Sequence, residues 1–547
     1  MRRLPVILLV VTLSWLAPAA QADDASGSAA GAAAGSIRAD FNNDGFTDLA
    51  IGAPGEDVGA LVDAGAVNVL YGSATGLQAL SPHNQFWDQA SSGTRGVAEA
   101  GDRFGTSIAT GDFNNDGFTD LAVGAPGEDV KAVADAGAVN VLYGSATGLQ
   151  STSPDDQFWT QGNRGLRGVA EAGDAFGSSL EVGDFNNDGF IDLAVGVPDE
   201  NAKAVPDAGA VNVLYGSATG LQATSPDDQF WSQGNGGLQD TRQASDQFGF
   251  SLAGGDFNAD GFDDLAVGVP LEDVGSVADA GTVSVLYGSA TGLQSTSPDD
   301  QLWAQGNALV RNAAESGDQF GGALSAGDFN GDGFADLAVG APGEDVGTAV
   351  DAGAANVLYG SPGGLQSISP DDQFWTQSKR VVRDAAQEGD QFGATLSAGD
   401  FNGDGFADLA VGAPGEDVGT AVHAGATNVL YGSATRLQAN SPDDQFWTQN
   451  TPDVLEVAQG GDQFGSSLRA GDFNDDGFAD LAVGVPREDV RKIADAGAVS
   501  VLYGSAARLQ ATSPDDQFWN QDSLDVLDAA EAGDGSGLVA SQCLLYC

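Results

Sequence analysis

Short apolar runs alternate with polar loops along this chain, and the runs recur at a fixed interval. In residues 462–533 the apolar segments read QFGSSL, LAVGVP, AGAVSVLYG and QFW, and loops rich in Gly, Asp or Pro separate them. Val499, Val501 and Tyr503 alternate with smaller residues, which is typical of a β-strand, and no segment has a helical period. The pattern predicts four short strands, named A to D in chain order.

The same unit occurs seven times, with a step of 72 residues between copies. Seven tryptophans, from Trp87 to Trp519, and seven tyrosines, from Tyr71 to Tyr503, follow this period. We interpret these rings as core residues that pack one unit on the next. Four-stranded units repeated radially are typical of a β-propeller. The expected fold is therefore all-β, a seven-bladed β-propeller of four-stranded antiparallel blades.

The two chain ends differ from the repeats. Arg2 and Arg3, the apolar residues 4–16 and the segment Ala20-Gln21-Ala22 predict a secretory signal peptide over residues 1–22. Residues 23–36 form a low-complexity Ala/Gly/Ser linker, residues 37–541 the propeller, and residues 542–547 a short tail. No strand A precedes the first copy, so we expect residues 533–541 to supply that strand and close the ring. The mature protein is expected to be secreted or held at the cell surface, with the periplasm as an alternative.

Charge excludes some classes of partner. The chain has 78 Asp and Glu against 20 Lys and Arg, a formal net charge of −58. Nucleic acid and anionic membranes are therefore poor partners, and no later stretch is long and apolar enough to span a membrane. The two cysteines, Cys543 and Cys547, lie outside the repeats, so disulfides do not hold the blades together.

The loop between strands A and B carries the candidate chemistry. In the first copy, DFNNDGFTD, oxygen side chains stand at positions 1, 3, 5 and 9: Asp40, Asn42, Asp44 and Asp48. Calcium takes six to eight hard oxygen ligands, alternate positions of a tight loop aim them at one centre, and the Phe46 carbonyl is the natural fifth ligand. Gly45 allows the sharp turn. The flanking strands make this a β-hairpin loop, unlike an EF-hand.

All seven copies keep this ligand set, which predicts up to seven structural calcium ions. The predicted ligands in the other copies are Asp112, Asn114, Asp116, Phe118 and Asp120; Asp184, Asn186, Asp188, Phe190 and Asp192; Asp256, Asn258, Asp260, Phe262 and Asp264; Asp328, Asn330, Asp332, Phe334 and Asp336; Asp400, Asn402, Asp404, Phe406 and Asp408; and Asp472, Asn474, Asp476, Phe478 and Asp480. The alternative is an Asx-rich turn without metal.

Two further motifs complete the unit and carry a resemblance. Phe-Gly stands before the loop in six copies, at Phe104-Gly105, Phe176-Gly177, Phe248-Gly249, Phe320-Gly321, Phe392-Gly393 and Phe464-Gly465. Gly-Ala-Pro follows the loop at Gly52-Ala53-Pro54, Gly124-Ala125-Pro126, Gly340-Ala341-Pro342 and Gly412-Ala413-Pro414, and Gly-Val-Pro replaces it in the other three. The chain resembles the FG-GAP repeats of the integrin α-subunit, which implies a calcium-bearing propeller engaged in adhesion. Integrin α-subunits usually carry cation loops in only some blades, whereas all seven blades qualify here.

We expect the ligand surface to lie opposite the calcium loops. After residue 39, 13 of 17 Lys and Arg fall in the B–C and D–A loops, with dense clusters at Lys379, Arg380 and Arg383 and at residues 487–492. This distribution favours an extracellular protein or an acidic polysaccharide as the ligand, and drift of solvated loop charges is the alternative.

The repeats contain no recognisable catalytic constellation, because His83 and His423 are unpaired and no nucleophile motif is present. We therefore expect a binding or adhesion module that is not an enzyme. A passive structural protein that holds calcium and a carbohydrate-directed propeller enzyme are the alternatives.

Overall fold

The structure is a computed structural model that describes residues 39–538 apart from 81–82, 297, 307–309, 369, 378–381, 441–442 and 513. The predicted signal peptide, linker and C-terminal tail lie outside the described residues, and so do Lys379 and Arg380. No helix in the described part of the chain is long and apolar enough to cross a membrane.

The described residues form seven antiparallel sheets, which are the seven blades. Blade by blade, the strands are β1 (Leu49–Ala53), β2 (Ala66–Leu70), β3 (Gln85–Trp87); β4 (Ser107–Gly111), β5 (Asp120–Ala125), β6 (Ala138–Leu142), β7 (Gln157–Trp159); β8 (Ser179–Gly183), β9 (Asp192–Val197), β10 (Ala210–Leu214), β11 (Gln229–Trp231); β12 (Leu252–Gly255), β13 (Asp264–Val269), β14 (Thr282–Leu286), β15 (Gln301–Trp303); β16 (Ala323–Gly327), β17 (Asp336–Ala341), β18 (Ala354–Leu358), β19 (Gln373–Trp375); β20 (Thr395–Gly399), β21 (Asp408–Ala413), β22 (Ala426–Leu430), β23 (Gln445–Trp447); β24 (Ser467–Gly471), β25 (Asp480–Val485), β26 (Ala498–Leu502) and β27 (Gln517–Trp519). A 3₁₀ turn, Ala202–Ala204, lies in the B–C loop of blade 3.

The order A-B-C-D within each four-stranded blade confirms the predicted propeller. The hydrophobic core lies between blades: Val67 and Tyr71 of blade 1 pack with Phe104, Leu121 and Val123 of blade 2. All seven repeat tyrosines are fully buried, which confirms their interpretation as core residues. The tryptophans are also buried or nearly so, although Trp87 and Trp519 at the two ends of the ring are more exposed.

The Phe-Gly segment is a turn and not part of strand A. The segment QFGSSL predicts that strand A includes the Phe-Gly pair, but strand A begins at Ser467 in that blade and at Ser107 in blade 2. Gly105 has φ +97°, a left-handed conformation that favours glycine, and its N–H donates to the Gly124 carbonyl at 2.9 Å. A Cβ on Gly52 of the preceding blade would lie 2.1 Å from the Gly105 carbonyl oxygen. The glycines of both motifs are therefore required where neighbouring backbones meet.

The ring is closed from both ends of the described chain. The Gly52 N–H donates to the Leu538 carbonyl at 2.8 Å, which confirms that the C-terminal segment supplies part of the missing strand A of blade 1. At the other end of that strand, the Asp48 N–H donates to the Ala39 carbonyl at 2.6 Å. A side-chain contact adds to the closure, because Gln521 Nε2 of blade 7 donates to Glu56 Oε2 of blade 1 at 2.7 Å.

Candidate metal sites

The seven Asp-rich loops lie at one end of the blades, where strand A turns into strand B. In blade 2, Gly111 pairs with Asp120 across the mouth of the hairpin, so the loop begins and ends at this pair. Strand C ends at Leu142 beside Leu121, which places the C–D loop at the same end. We call this end of the propeller the loop end.

Main-chain N–H groups hold the carboxylates of each loop. In blade 1, Asp40 accepts hydrogen bonds from the N–H groups of Asp44 at 3.0 Å and Gly45 at 2.8 Å. Asn42 Oδ1 accepts from the Asp44 N–H at 2.9 Å. Asp44 Oδ1 accepts from the Phe46 N–H at 3.1 Å. These contacts are those of successive Asx turns, and they wrap the backbone around the side-chain oxygens.

The ninth-position aspartate is buried and anchors the loop. Asp48 Oδ2 accepts from the Phe41 N–H at 2.8 Å, and Oδ1 accepts from the Gly72 N–H at 2.9 Å, just after strand C. Burial raises the pKa of Asp48 to about 8, although the two N–H groups oppose the rise and the charges of Asp40 and Asp44 add to it.

The other six blades repeat this arrangement. Burial raises the pKa of Asp120, Asp192 and Asp480 to about 8 and that of Asp264 to about 9. Burial also raises the pKa of Asp336 and of Asp408 far above the usual range. Within the described part of the chain, no Lys or Arg forms an ion pair with any of the seven ninth-position aspartates.

Each loop also contacts the next blade. The Asp40 N–H donates to Thr119 Oγ1 at 3.1 Å, and the Thr119 N–H donates to the Asp40 carbonyl at 3.1 Å. The Ser145 N–H of the C–D loop of blade 2 donates to the Phe41 carbonyl at 3.1 Å. Anything that rigidifies one loop therefore also rigidifies the joint between two blades.

The oxygen donors of each loop are of the type that calcium binds. Each loop offers three carboxylates, an amide oxygen and a main-chain carbonyl, all hard oxygens, and the buried carboxylate lacks a basic partner. In the described residues, no three His, Cys, Asp or Glu side chains already converge on one point that could hold a metal ion. The loop carboxylates instead face their own main-chain N–H groups, so the calcium ligands remain a prediction.

A second set of buried acids lies at the opposite end of the blades, and the sequence reasoning missed it. One glutamate in each B–C loop is buried and accepts a hydrogen bond from a glutamine Nε2 that follows strand D of the preceding blade, at 2.6–3.1 Å. The seven pairs are Glu56 with Gln521, Glu128 with Gln89, Glu200 with Gln161, Glu272 with Gln233, Glu344 with Gln305, Glu416 with Gln377, and Glu488 with Gln449.

Burial is also the main reason that the pKa of these glutamates is raised, to about 7 for Glu128 and about 8 for Glu416. Neighbouring carboxylates add to the shift: Asp102, Glu99 and Asp129 surround Glu128. The signal that could have revealed this set is the fixed position of Glu and Gln in loops that otherwise vary between copies.

The arginines do not form the basic surface that we expected opposite the calcium loops. Arg95, in the D–A segment, donates its main-chain N–H to Asp156 Oδ2 at 2.6 Å, and its guanidinium contacts Asp155. Asp156 immediately precedes strand D, near the loop end. Arg167, Arg311 and Arg383 make the equivalent contacts. The expectation is wrong for these four residues because the D–A segment runs back along the next blade.

The B–C loops, which lie at the end opposite the Asp-rich loops, are acidic. They contain 20 Asp and Glu against five Lys and Arg, and only blade 7, with Arg487, Arg491 and Lys492, is balanced. Arg491 is itself paired with Asp522 at 2.7 Å. A surface of this charge does not favour an acidic ligand, so the predicted basic ligand face is not supported by the fold.

A ring of seven antiparallel blades, each with an Asp-rich hairpin loop, defines a repeat β-propeller with candidate cation loops. The family model that matches is the FG-GAP repeat, over residues 33–70, 104–142, 176–214, 248–286, 320–358, 392–429 and 464–502. The chain is an FG-GAP β-propeller that resembles the integrin α-subunit.

Curated relatives point to two kinds of larger protein. The chain is 29% identical over 396 residues to phosphatidylinositol-glycan-specific phospholipase D from Bos taurus, which covers 70% of this chain and 43% of that protein. It is 32% identical over 266 residues to integrin alpha-5 from Xenopus laevis, covering 48% of this chain and 22% of that protein. The chain thus spans less than half the length of these relatives.

Among solved structures, a rhamnogalacturonan lyase from Bacillus licheniformis aligns with a TM-score of 0.35 at 10% identity, over 87% of this chain and 73% of that chain. At this level the alignment carries no argument about function.

Proposed function

We propose that this protein is a calcium-stabilised extracellular binding or adhesion module. The integrin α relatives support a binding propeller, and the proposal adds calcium as the ion that holds the seven loops in shape. Secretion and the absence of catalysis belong to the same proposal. The ligand would be a protein or a polysaccharide outside the cell.

The observation that carries the calcium part is the buried carboxylate at position nine. Seven such groups have no basic partner, and each sits with two further carboxylates in one hairpin. Burial raises the pKa of Asp48, the charges of Asp40 and Asp44 add to the rise, and burying that carboxylate without a cation costs free energy of folding. A divalent ion would remove that cost in every blade and would tie each loop to the next blade.

Two alternatives lead to different measurements. A passive calcium-holding matrix protein would assemble in calcium without selecting a ligand. An enzyme is the other alternative, since one group of relatives are phospholipases D, but less than half of those proteins is matched. Hydrolysis of a phosphatidylinositol glycan by the purified chain would support the enzyme.

Calorimetric titration of residues 23–547 with calcium, together with thermal unfolding in calcium and in chelator, tests the proposal. We expect close to seven ions per chain and a large rise in the melting temperature. Asp116→Asn should remove one ion, whereas Asn115→Asp, at the fourth position of the same loop, should remove none. If no heat of binding and no thermal shift are seen, the loops are Asx turns and the proposal fails.

A further inference from the structure

A groove of about 440 Å³ opens at the loop end between blades 3 and 4. Its walls include Arg167 from the linker between blades 2 and 3, Asn186 from the calcium loop of blade 3, Asp227 and Asp228 from the turn before strand D, and Thr291 from the C–D loop of blade 4. The volume lies in the range of small-molecule sites, about 300–1,000 Å³.

The groove offers donors and acceptors side by side. The Arg167 side chain is half-exposed, and its guanidinium contacts Asp227 while its Nε lies 3.9 Å from Asp228 Oδ1. Asn186 is buried at the inner wall, and its Nδ2 has no acceptor among the described residues. Thr291 adds a hydroxyl. That Nδ2 is buried away from the groove, as it is in Asn114, Asn258, Asn330 and Asn402, so the donors that a ligand could meet are the Arg167 guanidinium and the Thr291 hydroxyl.

The mixture favours a ligand that both donates and accepts hydrogen bonds and carries no net charge. An anion would meet two carboxylates in the groove and a chain of net charge −58. Sugar hydroxyl groups donate to carboxylates and accept from a guanidinium, so neighbouring hydroxyls match the alternation of Arg167 with Asp227 and Asp228.

Comparison of the repeats shows where the residues that line this groove recur and where an arginine bridges the equivalent place. Arg95 stands at the position of Arg167, with Asp155 and Asp156 in the turn and Gly220 in the C–D loop of the next blade. Arg167 has the same set, with Gly292 following Thr291.

The equivalent places beside Arg311 and Arg383 have arginine where the other two have Gly220 and Gly292. Arg436 replaces the glycine in blade 6 and donates from Nη1 to the Asp371 carbonyl at 3.1 Å. Arg508 replaces it in blade 7 and reaches the Asp443 carbonyl. Both side chains cross from the C–D loop of one blade to the turn of the preceding blade, where they bridge the equivalent groove.

We propose that the groove between blades 3 and 4 binds a neutral sugar, that the groove beside Arg95 is a second copy, and that Arg436 and Arg508 close the other two. The proposal deepens the proposed function, since it names the ligand class of a binding module and moves its site to the loop end.

Two blades of this chain already have arginine, Arg436 and Arg508, at the position of Gly292 and Gly220. Gly292 and Gly220 have φ +93° and +89°, and a Cβ on either would lie 1.7 Å from the hydroxyl oxygen of Tyr215 or Tyr143. Arg508 nevertheless occupies the same place at φ 89°, with its guanidinium 5.7 Å from the centre of the Tyr431 ring. The fold therefore accepts arginine there, and Gly292→Arg with Gly220→Arg should close both open grooves.

The experiment measures binding of the mature chain, in calcium, to an array of immobilised neutral glycans and of uronic-acid glycans. We expect binding to at least one neutral glycan, with a loss of about tenfold or more in the Gly220→Arg/Gly292→Arg variant. Gly76→Arg is the matched control, because the groove that it borders has Leu455 at the position of Arg167; it should bind like the wild type.

Arg167→Leu with Arg95→Leu is a second variant that does not depend on the glycine positions. Leu455 and Leu527 occupy the equivalent places in two linkers, so the fold accepts leucine. This variant should also lose neutral-glycan binding. The proposal is overturned if no neutral glycan binds, if uronic-acid glycans bind more tightly, or if neither double variant weakens binding.

Calorimetry on the same samples separates this proposal from the calcium proposal. Calcium binding near seven ions without glycan binding would overturn the groove and leave the calcium loops standing. Glycan binding by a chain that takes up no calcium would support the groove and contradict the calcium loops.

Discussion

The two ends of the propeller both bury carboxylates, but they hold them by different means. At the loop end, Asp120 accepts from the main-chain N–H groups of Phe113 and Gly144, both at 2.9 Å. At the opposite end, Glu128 accepts from the side chain of Gln89 at 2.7 Å and faces three more carboxylates.

The comparison shows that two similarly buried carboxylates can have different hydrogen-bond donors and therefore different ways of being neutralised. Main-chain N–H groups favour the charged carboxylate, and the loop adds hard oxygens at alternate positions, so we propose that a divalent cation completes the loop end. Burial raises the pKa at both ends, to about 8 for Asp120 and about 7 for Glu128. The glutamate end, however, offers one amide and several like charges and no such set of oxygens, so once calcium fills the loops its buried glutamates remain to take up a proton. We therefore expect the loop end to respond to calcium and the opposite end to respond to pH.

Removing calcium should have the largest effect. If each loop binds with the 10⁻⁴–10⁻³ M constants of extracellular modules, a tenfold excess of calcium adds about 1.4 kcal/mol per site, or roughly 10 kcal/mol for seven sites. Denaturant unfolding in calcium and in chelator measures this difference. An unfolding free energy that does not depend on calcium would remove the distinction between the two ends.

The buried loop aspartate should matter more than an exposed ligand of the same loop when calcium is absent. In chelator, Asp120→Asn should lower the unfolding free energy by about 1–3 kcal/mol, because the new amide group cannot accept both main-chain N–H groups. Asp116→Asn, at an exposed position, should cost much less. Equal costs in chelator would mean that burial does not set the role of position nine.

A pH series in saturating calcium should isolate the glutamate end. The folded-state pKa of Glu128, about 7, lies above the ordinary value of 4.5, so its contribution to stability is present in full below pH 4.5 and is lost as the pH rises through 7. The unfolding free energy should therefore fall between pH 5 and pH 8.

Glu128→Gln removes one titrating carboxyl. It should therefore reduce the fall in unfolding free energy between pH 5 and pH 8 by about 1–3 kcal/mol. Asp57→Asn, in the B–C loop of blade 1 and not among the carboxylates that surround Glu128, is the control for loss of charge. A decline that is the same in both variants would place the pH response elsewhere.

The ion pairs of Arg95, Arg167, Arg311 and Arg383 with the aspartates before strand D should contribute least to stability. Arg167 is half-exposed, and exposed ion pairs are worth about 0–1 kcal/mol, so Arg167→Leu should lower the unfolding free energy by no more than that. Thermal unfolding of Arg167→Leu beside wild type measures it. A cost of several kcal/mol would show that these arginine ion pairs, and not the buried acids, hold neighbouring blades together.

Much of this architecture could be read from the sequence, because the repeat fixes both period and strand number. The alternation of Val499, Val501 and Tyr503 predicts a strand, and residues 498–502 form β26. The strand-poor start of the first repeat predicts closure by the C-terminal segment, which Leu538 confirms. The predicted ligand loops lie between strands A and B, as the order of the strands predicts, and the convergence of their oxygens on an ion stays a prediction.

Other features depend on contacts between blades that no single repeat encodes. Arg95 reads as a loop charge, and only the return path of the D–A segment brings it to Asp155 and Asp156. Glu128 reads as a solvated acid, and only the neighbouring Gln89 shows that it is buried. The apolar Phe104 predicts an earlier start for strand A, but the left-handed Gly105 turns the chain before the strand begins at Ser107.

The most direct test of the calcium account is an anomalous difference map from crystals of residues 23–547 grown in calcium. The account predicts seven peaks at the loop end, each bounded by one aspartate set such as Asp40, Asp44 and Asp48 with the Asn42 side chain and the Phe46 carbonyl. Loops without peaks, with their carboxylates still facing the main-chain N–H groups, would contradict it.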